Sequence, residues 1–270
     1  MIKAVVFDLD NTLLDFMKMK DTAVRAAVSS MVFNGLDINK DDAISKIYKI
    51  YDNKGYEYQE VFDVFLKEVI GNVDYKILAS GIIAYKRAKE NSLMLYKNVD
   101  ATLHALSRIG LKLAVVSDAP SREAWIRICT VKLEHTFDAV VTLHDKGFHK
   151  PSPEPFNQVI KSLNIKAEEI LMVGDWPERD IIGAQNVGMK TAFAKYGDTF
   201  DTPQHKERMR KAELANQEKK DRMKYGNKKV GKDWGKFRDA MKKAVEKKKL
   251  RPGEVKRYDK SKGKWVSNKD

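Results

Sequence analysis

The sequence predicts an α/β protein built on a doubly wound parallel sheet. Residues 2–7 form an apolar, largely β-branched run, which is typical of a strand buried on both faces of such a sheet. From residue 99 onward, helical and strand patterns alternate, as they do in βα units joined by right-handed crossovers. Between these two parts, four helical patterns follow one another with no strand among them. We therefore expect a helical segment inserted after the first strand.

The inserted segment shows apolar residues at spacings of three and four. These predict helices over residues 18–33, 41–51, 56–70 and 74–91, with breaks at 34–35, 53–55 and 71–72. We expect residues 16–95 to form a helical domain of their own.

The alternating part predicts the rest of the sheet. We expect helices over 99–108, 123–133, 155–163 and 181–186, and strands over 111–117, 139–142, 170–173 and 191–194. Gly110 and Gly188 lie where the first and last of these helices should end. Together with the first strand, these elements make residues 1–15 and 96–200 the predicted core domain.

Composition limits the class of protein. Of the 270 residues 43 % are hydrophobic and 33 % are charged, so the chain can bury a core, while its apolar runs are too short to cross a bilayer. The first residues lead directly into a strand and do not resemble a secretion signal. Cys129 is the single cysteine, which excludes a disulfide framework and a thiolate metal cluster; we expect it to be a small buried residue. These features predict a cytoplasmic protein.

The net charge of +13 is concentrated at one end of the chain. Residues 201–270 hold 25 Lys and Arg against 11 Asp and Glu, whereas residues 1–200 are close to neutral. In this basic extension we expect helices over 203–224 and 233–249 and a hairpin of 255–258 with 264–266. The second helix would carry Trp234, Phe237, Met241 and Val245 on one stripe.

Polar residues follow four of the expected strands. Each group alone has a structural explanation, as a turn, a helix cap or a solvated lysine. The carboxyl ends of parallel strands, however, share the edge of the sheet where ligands bind. Two carboxylates 4 Å apart repel by roughly 4 kcal/mol at an effective dielectric of 20, and a divalent cation with oxygen ligands would offset that repulsion. The residues expected to converge are Asp8, Asp10, Ser117, Lys150, Asp175 and Asp180, with Asp118 directly after Ser117.

These residues form a recognisable set of motifs. They are D-L-D-N-T at Asp8 to Thr12, the serine of V-V-S at Ser117, the lysine of H-K-P-S-P at Lys150, and G-D-W-P-E-R-D at residues 174–180. Over residues 1–197 the chain resembles the haloacid dehalogenase-like (HAD) hydrolases, and its inserted helices resemble the cap of the family's first class. The resemblance implies a Rossmann-like core and a helical cap over residues 16–95.

The resemblance also implies a set of catalytic residues. Asp8 would be the nucleophile that forms an aspartyl-phosphate, and Asp10 the general acid and then the general base. Thr12 would steady Asp10 and its loop. Lys150 would neutralise phosphate charge and hold Asp8 in place.

A phosphate site and a metal site are implied as well. Ser117, Asp118 and Lys150 are expected at the phosphate. Mg²⁺ would be held by Asp8, the backbone carbonyl of Asp10 and Asp175. Asp180 would orient Lys150 or a metal-bound water.

Two positions refine the expected function. The family's dehalogenases lack a second acid at the position of Asp10, so this residue favours phosphoryl transfer over carbon–halogen cleavage. Asp118 stands where members often carry Asn, and its charge must point away from phosphate or meet a cation such as Arg122. The implied enzyme is a Mg²⁺-dependent phosphoric monoester hydrolase acting on glyceraldehyde 3-phosphate, phosphoglycolate or a related phosphometabolite. Candidates for contacts with the rest of the substrate are five residues of the cap, namely Lys18, Lys20, Arg25, Lys54 and Tyr56.

The basic extension leaves several alternatives open. It is either a solvated, partly helical tail, a nucleic-acid contact in which lysines meet phosphates and aromatics stack on bases, or a helix at an acidic membrane surface. Its apolar stripe could also pack on the core or on a second subunit. Under the alternative function, the protein binds nucleic acid through its basic extension. Its HAD body then acts on nucleotides or nucleic-acid ends, or has a regulatory role.

Overall fold

The computed structural model describes residues 1–143, 147–198, 256–259 and 264–267. The chain divides into two units, Met1–Leu214 and Ala215–Asp270. The first unit contains a five-stranded parallel sheet with the strand order β3-β2-β1-β4-β5, which confirms the predicted fold class. Its strands are β1 (Ala4–Phe7), β2 (Lys112–Pro120), β3 (Ala139–Leu143), β4 (Ile170–Gly174) and β5 (Lys190–Phe193).

Strand β1 is buried on both faces, and its residues alternate between two hydrophobic clusters. Val5 and Phe7 pack on the side of helices α5 (Val99–Arg108) and α6 (Ser121–Thr130). Ala4 and Val6 pack on the side of α7 (Pro153–Leu163) and α8 (Gly183–Asn186). Because the side chains of a strand alternate with a period of two, this burial accounts for the unbroken apolar run in the sequence.

Four helices lie between β1 and α5, as predicted. They are α1 (Phe16–Phe33), α2 (Lys40–Lys54), α3 (Val61–Ile70) and α4 (Tyr75–Ser92). They share a hydrophobic cluster separate from the two on the sheet. Asp15, Asn39 and Asp74 cap the starts of α1, α2 and α4 by accepting backbone N–H groups.

The expected helix over 56–70 begins five residues late, at Val61. Gly55 ends α2 with a φ of +92°, and the chain then forms turns through residues 56–60. The Tyr56 ring stacks on Tyr51 of α2, at 5.6 Å between centroids. We call residues 55–60 the cap loop, since they reach the cavity described below.

Three further expectations need correction. Cys129 is exposed, because α6 turns Ala124, Arg127 and Ile128 inward and leaves Cys129 on its outer side. The last helix does not begin at residue 181: a π-helix over Pro177–Ile182 precedes the short α8. Strand β2 also continues past the expected end at Ser117 to Pro120.

The second unit contains the predicted hairpin. Strands β6 (Lys256–Asp259) and β7 (Lys264–Ser267) pair antiparallel, with Tyr258 opposite Trp265. The helices expected over 203–224 and 233–249 lie outside the described residues. Among the helices that are described, none has the length and apolar character to cross a membrane.

Candidate active site

The carboxyl edge of the sheet opens into a cavity of about 670 Å³. The end of β2 and the segments that follow β1, β3 and β4 line it, together with residues of the cap loop. The lining includes the six residues expected to converge at this edge, and Asp118 with them.

Lys150 is the buried cation of the site. Its ammonium lies 2.5 Å from Asp8 Oδ1 and 2.6 Å from Asp180 Oδ1, and it donates to the Val116 carbonyl at 3.0 Å. Burial alone would lower the pKa of this lysine, but the Asp180 and Asp8 carboxylates outweigh that effect and raise its pKa. Lys150 therefore stays charged and fixes both carboxylates.

Three carboxylates meet beside Lys150. Oxygens of Asp8, Asp175 and Asp180 all lie within 4.8 Å of one another, and all three residues are buried. Burial raises the pKa of Asp8 to about 7 and that of Asp175 to about 9, and neighbouring carboxylates add to both shifts. A set of hard oxygen donors that repel one another fits a cation such as Mg²⁺.

Asp180 differs from the other two carboxylates, because both of its oxygens are engaged. Oδ1 accepts from Lys150, and Oδ2 accepts from the Trp176 backbone N–H at 2.9 Å. The absence of a side chain at Gly174 makes this approach possible: a Cβ there would lie 2.4 Å from the Asp180 carboxyl group. Of the two expected roles for Asp180, this geometry favours orienting Lys150.

Thr12 and Asp175 join the first and fourth strand ends. The Thr12 hydroxyl donates to Asp175 Oδ1 at 3.1 Å, and the Thr12 carbonyl accepts from the Tyr196 hydroxyl at 2.8 Å. Gly197 packs so closely on this turn that a Cβ would lie 1.6 Å from the Asn11 carbonyl oxygen. The resemblance implied that Thr12 steadies Asp10 and its loop; in the structure the Thr12 hydroxyl bonds Asp175, and the Thr12 carbonyl ties the loop to Tyr196.

Asp10 is held by a residue that the sequence did not single out. Arg127 of α6 lies with Nη1 2.5 Å from Asp10 Oδ2, and its Nη2 bonds Glu57 of the cap loop. The second oxygen of Asp10, Oδ1, is buried and has no hydrogen-bond partner among the described residues. Burial raises the pKa of Asp10, and the Arg127 charge opposes that rise.

Ser117 and Asp118 occupy the end of β2. The Ser117 side-chain oxygen accepts the Ala119 backbone N–H at 3.1 Å, which leaves its own O–H free to act as a donor. Asp118 accepts from the Lys150 backbone N–H at 2.8 Å and from Arg179 at 3.1 Å. The cation that meets Asp118 is therefore Arg179, while Arg122 pairs with Glu123.

Arg127 and Glu57 are the two residues in contact at this site that the sequence did not single out. Their partners lie 117 and 70 positions away along the chain, so no local spacing reveals them. One weak signal exists: an arginine on the inner face of a helix, between Ala124 and Ile128, has to find a buried anion. Glu57 was hidden by the incorrect extension of α3 across the cap loop.

The sequence model of the haloacid dehalogenase-like hydrolases matches residues 5–194, the stretch that builds this sheet and its cavity. The chain belongs to this family. A HAD phosphatase of known structure from Thermococcus onnurineus is similar over 71 % of this chain and 86 % of its own, with 26 % identity and a TM-score of 0.53.

The curated relatives of this HAD protein include archaeal phosphatases. A glyceraldehyde 3-phosphate phosphatase from Methanocaldococcus jannaschii is 37 % identical over 204 residues, covering 74 % of this chain and 90 % of the relative. The protein of that name from Pyrococcus abyssi is 34 % identical over 197 residues, covering 73 % and 83 %. The chain is thus a HAD phosphatase, an enzyme that hydrolyses phosphomonoesters.

Proposed function

We propose that this HAD phosphatase hydrolyses glyceraldehyde 3-phosphate through an aspartyl-phosphate formed on Asp8, with Mg²⁺ as its cofactor. The observation that carries the proposal is the Lys150 ammonium shared by Asp8 and Asp180 beside Asp175. The choice of substrate rests on the names of the archaeal relatives.

Asp8 is the proposed nucleophile. Lys150 holds its Oδ1, so we assign the attack on phosphorus to Oδ2. As the bond from Asp8 to phosphorus forms, the ester bond to the substrate oxygen breaks. Lys150 and the Ser117 hydroxyl, which both line the cavity, would compensate the charge on the phosphoryl oxygens.

Asp10 is the proposed proton carrier. Its Oδ2 is engaged by Arg127, and its Oδ1 is the buried oxygen without a partner among the described residues. We assign to Oδ1 the proton that passes to the departing substrate oxygen. Asp10 would then take a proton from the water that hydrolyses the aspartyl-phosphate, which releases phosphate and restores Asp8.

The Asp8 and Asp175 carboxylates and the Asp10 backbone carbonyl are the proposed ligands of Mg²⁺. Asp180 is left out of this set, since Lys150 and Trp176 engage its two oxygens. Bound there, the ion would neutralise part of the charge that the carboxylates and a phosphate dianion bring together. The Thr12 hydroxyl orients Asp175 for this role.

We propose that residues 16–95 act as a cap on a core formed by residues 1–15 and 96–200. The cap loop brings Tyr56 and Glu57 to the cavity, so closure of the cap would exclude water from the reacting groups. Lys54 also lines the cavity and is a candidate contact for the non-phosphate end of the substrate, whereas Lys20 is buried behind the loop.

Phosphate release from glyceraldehyde 3-phosphate, with and without Mg²⁺, tests the proposal. The wild-type protein should be active only with the metal, and Asp8→Asn should be inactive although it folds. Activity that survives Asp8→Asn would overturn the proposed nucleophile. Faster turnover of phosphoglycolate under the same conditions would replace the proposed substrate and leave the chemistry intact.

For residues 201–270 we propose contact with nucleic acid, supported by their 25 basic against 11 acidic residues. Full-length protein should bind single-stranded DNA with an affinity that falls steeply with salt, and a chain truncated at Thr199 should lose this binding while keeping its phosphatase activity. Equal binding by both chains would exclude this role.

A cytoplasmic location stays a prediction, which cell fractionation can test.

A further inference from the structure

Helix α6 forms two ion pairs with the cap. Lys89 of α4 lies 2.9 Å from Glu123, and Arg127 pairs with Glu57 of the cap loop. Glu123 and Arg127 are four residues apart, so their side chains lie on the same face of α6, one turn from each other. In the first ion pair α6 supplies the anion, and in the second it supplies the cation.

The two ion pairs differ in the further partners of their α6 residues. Glu123 meets only Lys89 and the exposed Arg122 among the ion pairs of the described residues. Arg127 uses one end of its guanidinium for Glu57 and the other for Asp10. Its side chain is 1 % exposed and lies over the Phe16 ring at 4.5 Å. Of these two ion pairs, the second links the cap to Asp10.

We propose that Arg127 is a positioning residue that couples docking of the cap loop to the orientation of the Asp10 carboxylate. The inference rests on the role proposed above for Asp10. A guanidinium is planar and its nitrogens move together, so the position that satisfies Glu57 at Nη2 also fixes the position of Nη1 at Asp10.

The burial of the Arg127 guanidinium between two partly exposed carboxylates gives the coupling its strength. A buried arginine that loses one of two carboxylates is left with charge that is only partly compensated, so it will shift toward the carboxylate that remains. When Glu57 leaves with the cap loop, the Arg127 guanidinium shifts, and the Asp10 carboxylate that it holds loses the orientation seen here. Misplacing a catalytic group by about 1 Å can cost about 100-fold in rate. Proton transfer is thus favoured only when the cap has closed.

The cap loop has a second anchor that makes its closed position specific. The buried Lys20 ammonium donates to the Tyr56 carbonyl at 2.6 Å, one residue before Glu57. Lys20 in turn lies over the Tyr51 ring at 4.2 Å. The loop that carries Glu57 is therefore held by the cap itself. The ion pair with Arg127 then depends on the position of the whole cap.

The test compares kcat/KM for phenyl phosphate and p-nitrophenyl phosphate in the full-length protein. The two substrates have similar shapes, but phenolate is the poorer leaving group and depends more on a proton from Asp10. We expect Glu57→Gln and Arg127→Lys to lower kcat/KM for phenyl phosphate by about tenfold, and for p-nitrophenyl phosphate by less than about threefold. The matched control Lys89→Gln breaks the other ion pair and should affect both substrates equally and slightly.

An equal loss on both substrates for Glu57→Gln would overturn the inference, as would a leaving-group dependence in Lys89→Gln. If Arg127→Lys fails to fold, Glu57→Gln still tests the inference. The Glu57 side chain is 29 % exposed, and glutamine has nearly the same size, so we expect this variant to fold. Asp10→Asn separates this inference from the proposed function. If Asp10→Asn lowers kcat/KM equally for both substrates, the assigned role of Asp10 is wrong. If Asp10→Asn lowers it more for phenyl phosphate but the Arg127 and Glu57 variants do not, the coupling is wrong.

Discussion

The Thr12 hydroxyl lies 3.1 Å from Asp175 Oδ1 and so joins the turn after β1 to the end of β4. Both residues are buried, and 163 positions of sequence separate them. This hydrogen bond orients the carboxylate that we propose as a metal ligand. Such outer contacts commonly decide how well a ligand is placed.

Thr12→Val removes this donor while nearly preserving volume. Leaving a buried carboxylate oxygen unpaired should lower the free energy of unfolding by about 1–3 kcal/mol. The Mg²⁺ concentration for half-maximal activity should rise, because Asp175 loses its orientation. Urea unfolding and a metal titration of phosphatase activity measure the two effects. Thr12→Ser keeps the hydroxyl and serves as the control; an unchanged metal requirement in Thr12→Val would contradict the role given to this bond.

Gly197 supports the same turn by leaving room for it. In Gly197→Ala the new Cβ would meet the Asn11 carbonyl oxygen and lie 2.9 Å from the Asp175 Cβ, so backbone must move. We expect kcat to fall by about tenfold or more, since that turn carries Asp10 and Thr12. In Gly35→Ala, at a φ of +107°, nothing lies within 4 Å of the Cβ. That control should lose about 1–3 kcal/mol of stability with kcat unchanged; equal kcat losses would argue against a local effect at Gly197.

Asp118 anchors the loop that carries Lys150. Asp118→Asn keeps an acceptor for the Lys150 backbone N–H but loses the ion pair with Arg179, so kcat/KM should fall by only about threefold. Asp118→Ala loses both contacts, and kcat/KM should fall by about tenfold or more. Steady-state kinetics with p-nitrophenyl phosphate measure both variants. If the two variants had the same activity, the hydrogen bond to Lys150 would have no catalytic importance.

The sequence could predict the core of the site for a physical reason. Asp8, Lys150 and Asp175 follow parallel strands, and parallel strands end at one edge, so chain order and strand pattern together place them near one another. The buried run at β1 was equally readable, since it packs on both faces. These inferences needed only periodicity and topology.

The remaining contacts depend on how a helix and a loop meet across the fold. Glu57 reaches Arg127 because Gly55 ends α2 and the chain turns before α3, a break that the apolar spacing from Tyr56 onward concealed. The cation at Asp118 was sought at Arg122, four residues along the chain, and is Arg179 from the loop after β4. Side-chain pairing at this range follows tertiary packing, which no local pattern encodes.

The buried amine of Lys20 should make the free energy of unfolding depend on pH. Burial lowers the pKa of this lysine from 10.5 to about 8, and the charges around it come from Glu57, Arg127, Lys89 and Glu123. The unfolded chain then binds more protons than the folded chain between about pH 8 and 10.5. The cost of burying the charged amine is present in full below pH 8 and is relieved as the pH rises through that window.

Stability should therefore rise with pH relative to a variant without the amine. We expect the free energy of unfolding of the wild type, minus that of Lys20→Met, to increase by roughly 3 kcal/mol from pH 7.5 to 10.5. Taking the difference removes the opposite trend of the buried Tyr51 and the partly buried Tyr85, whose pKa values burial raises. Loss of the hydrogen bond to the Tyr56 carbonyl adds an offset that does not vary with pH. Urea unfolding of both proteins across this range gives the difference, and two parallel curves would mean that the Lys20 amine is hydrated in the folded protein.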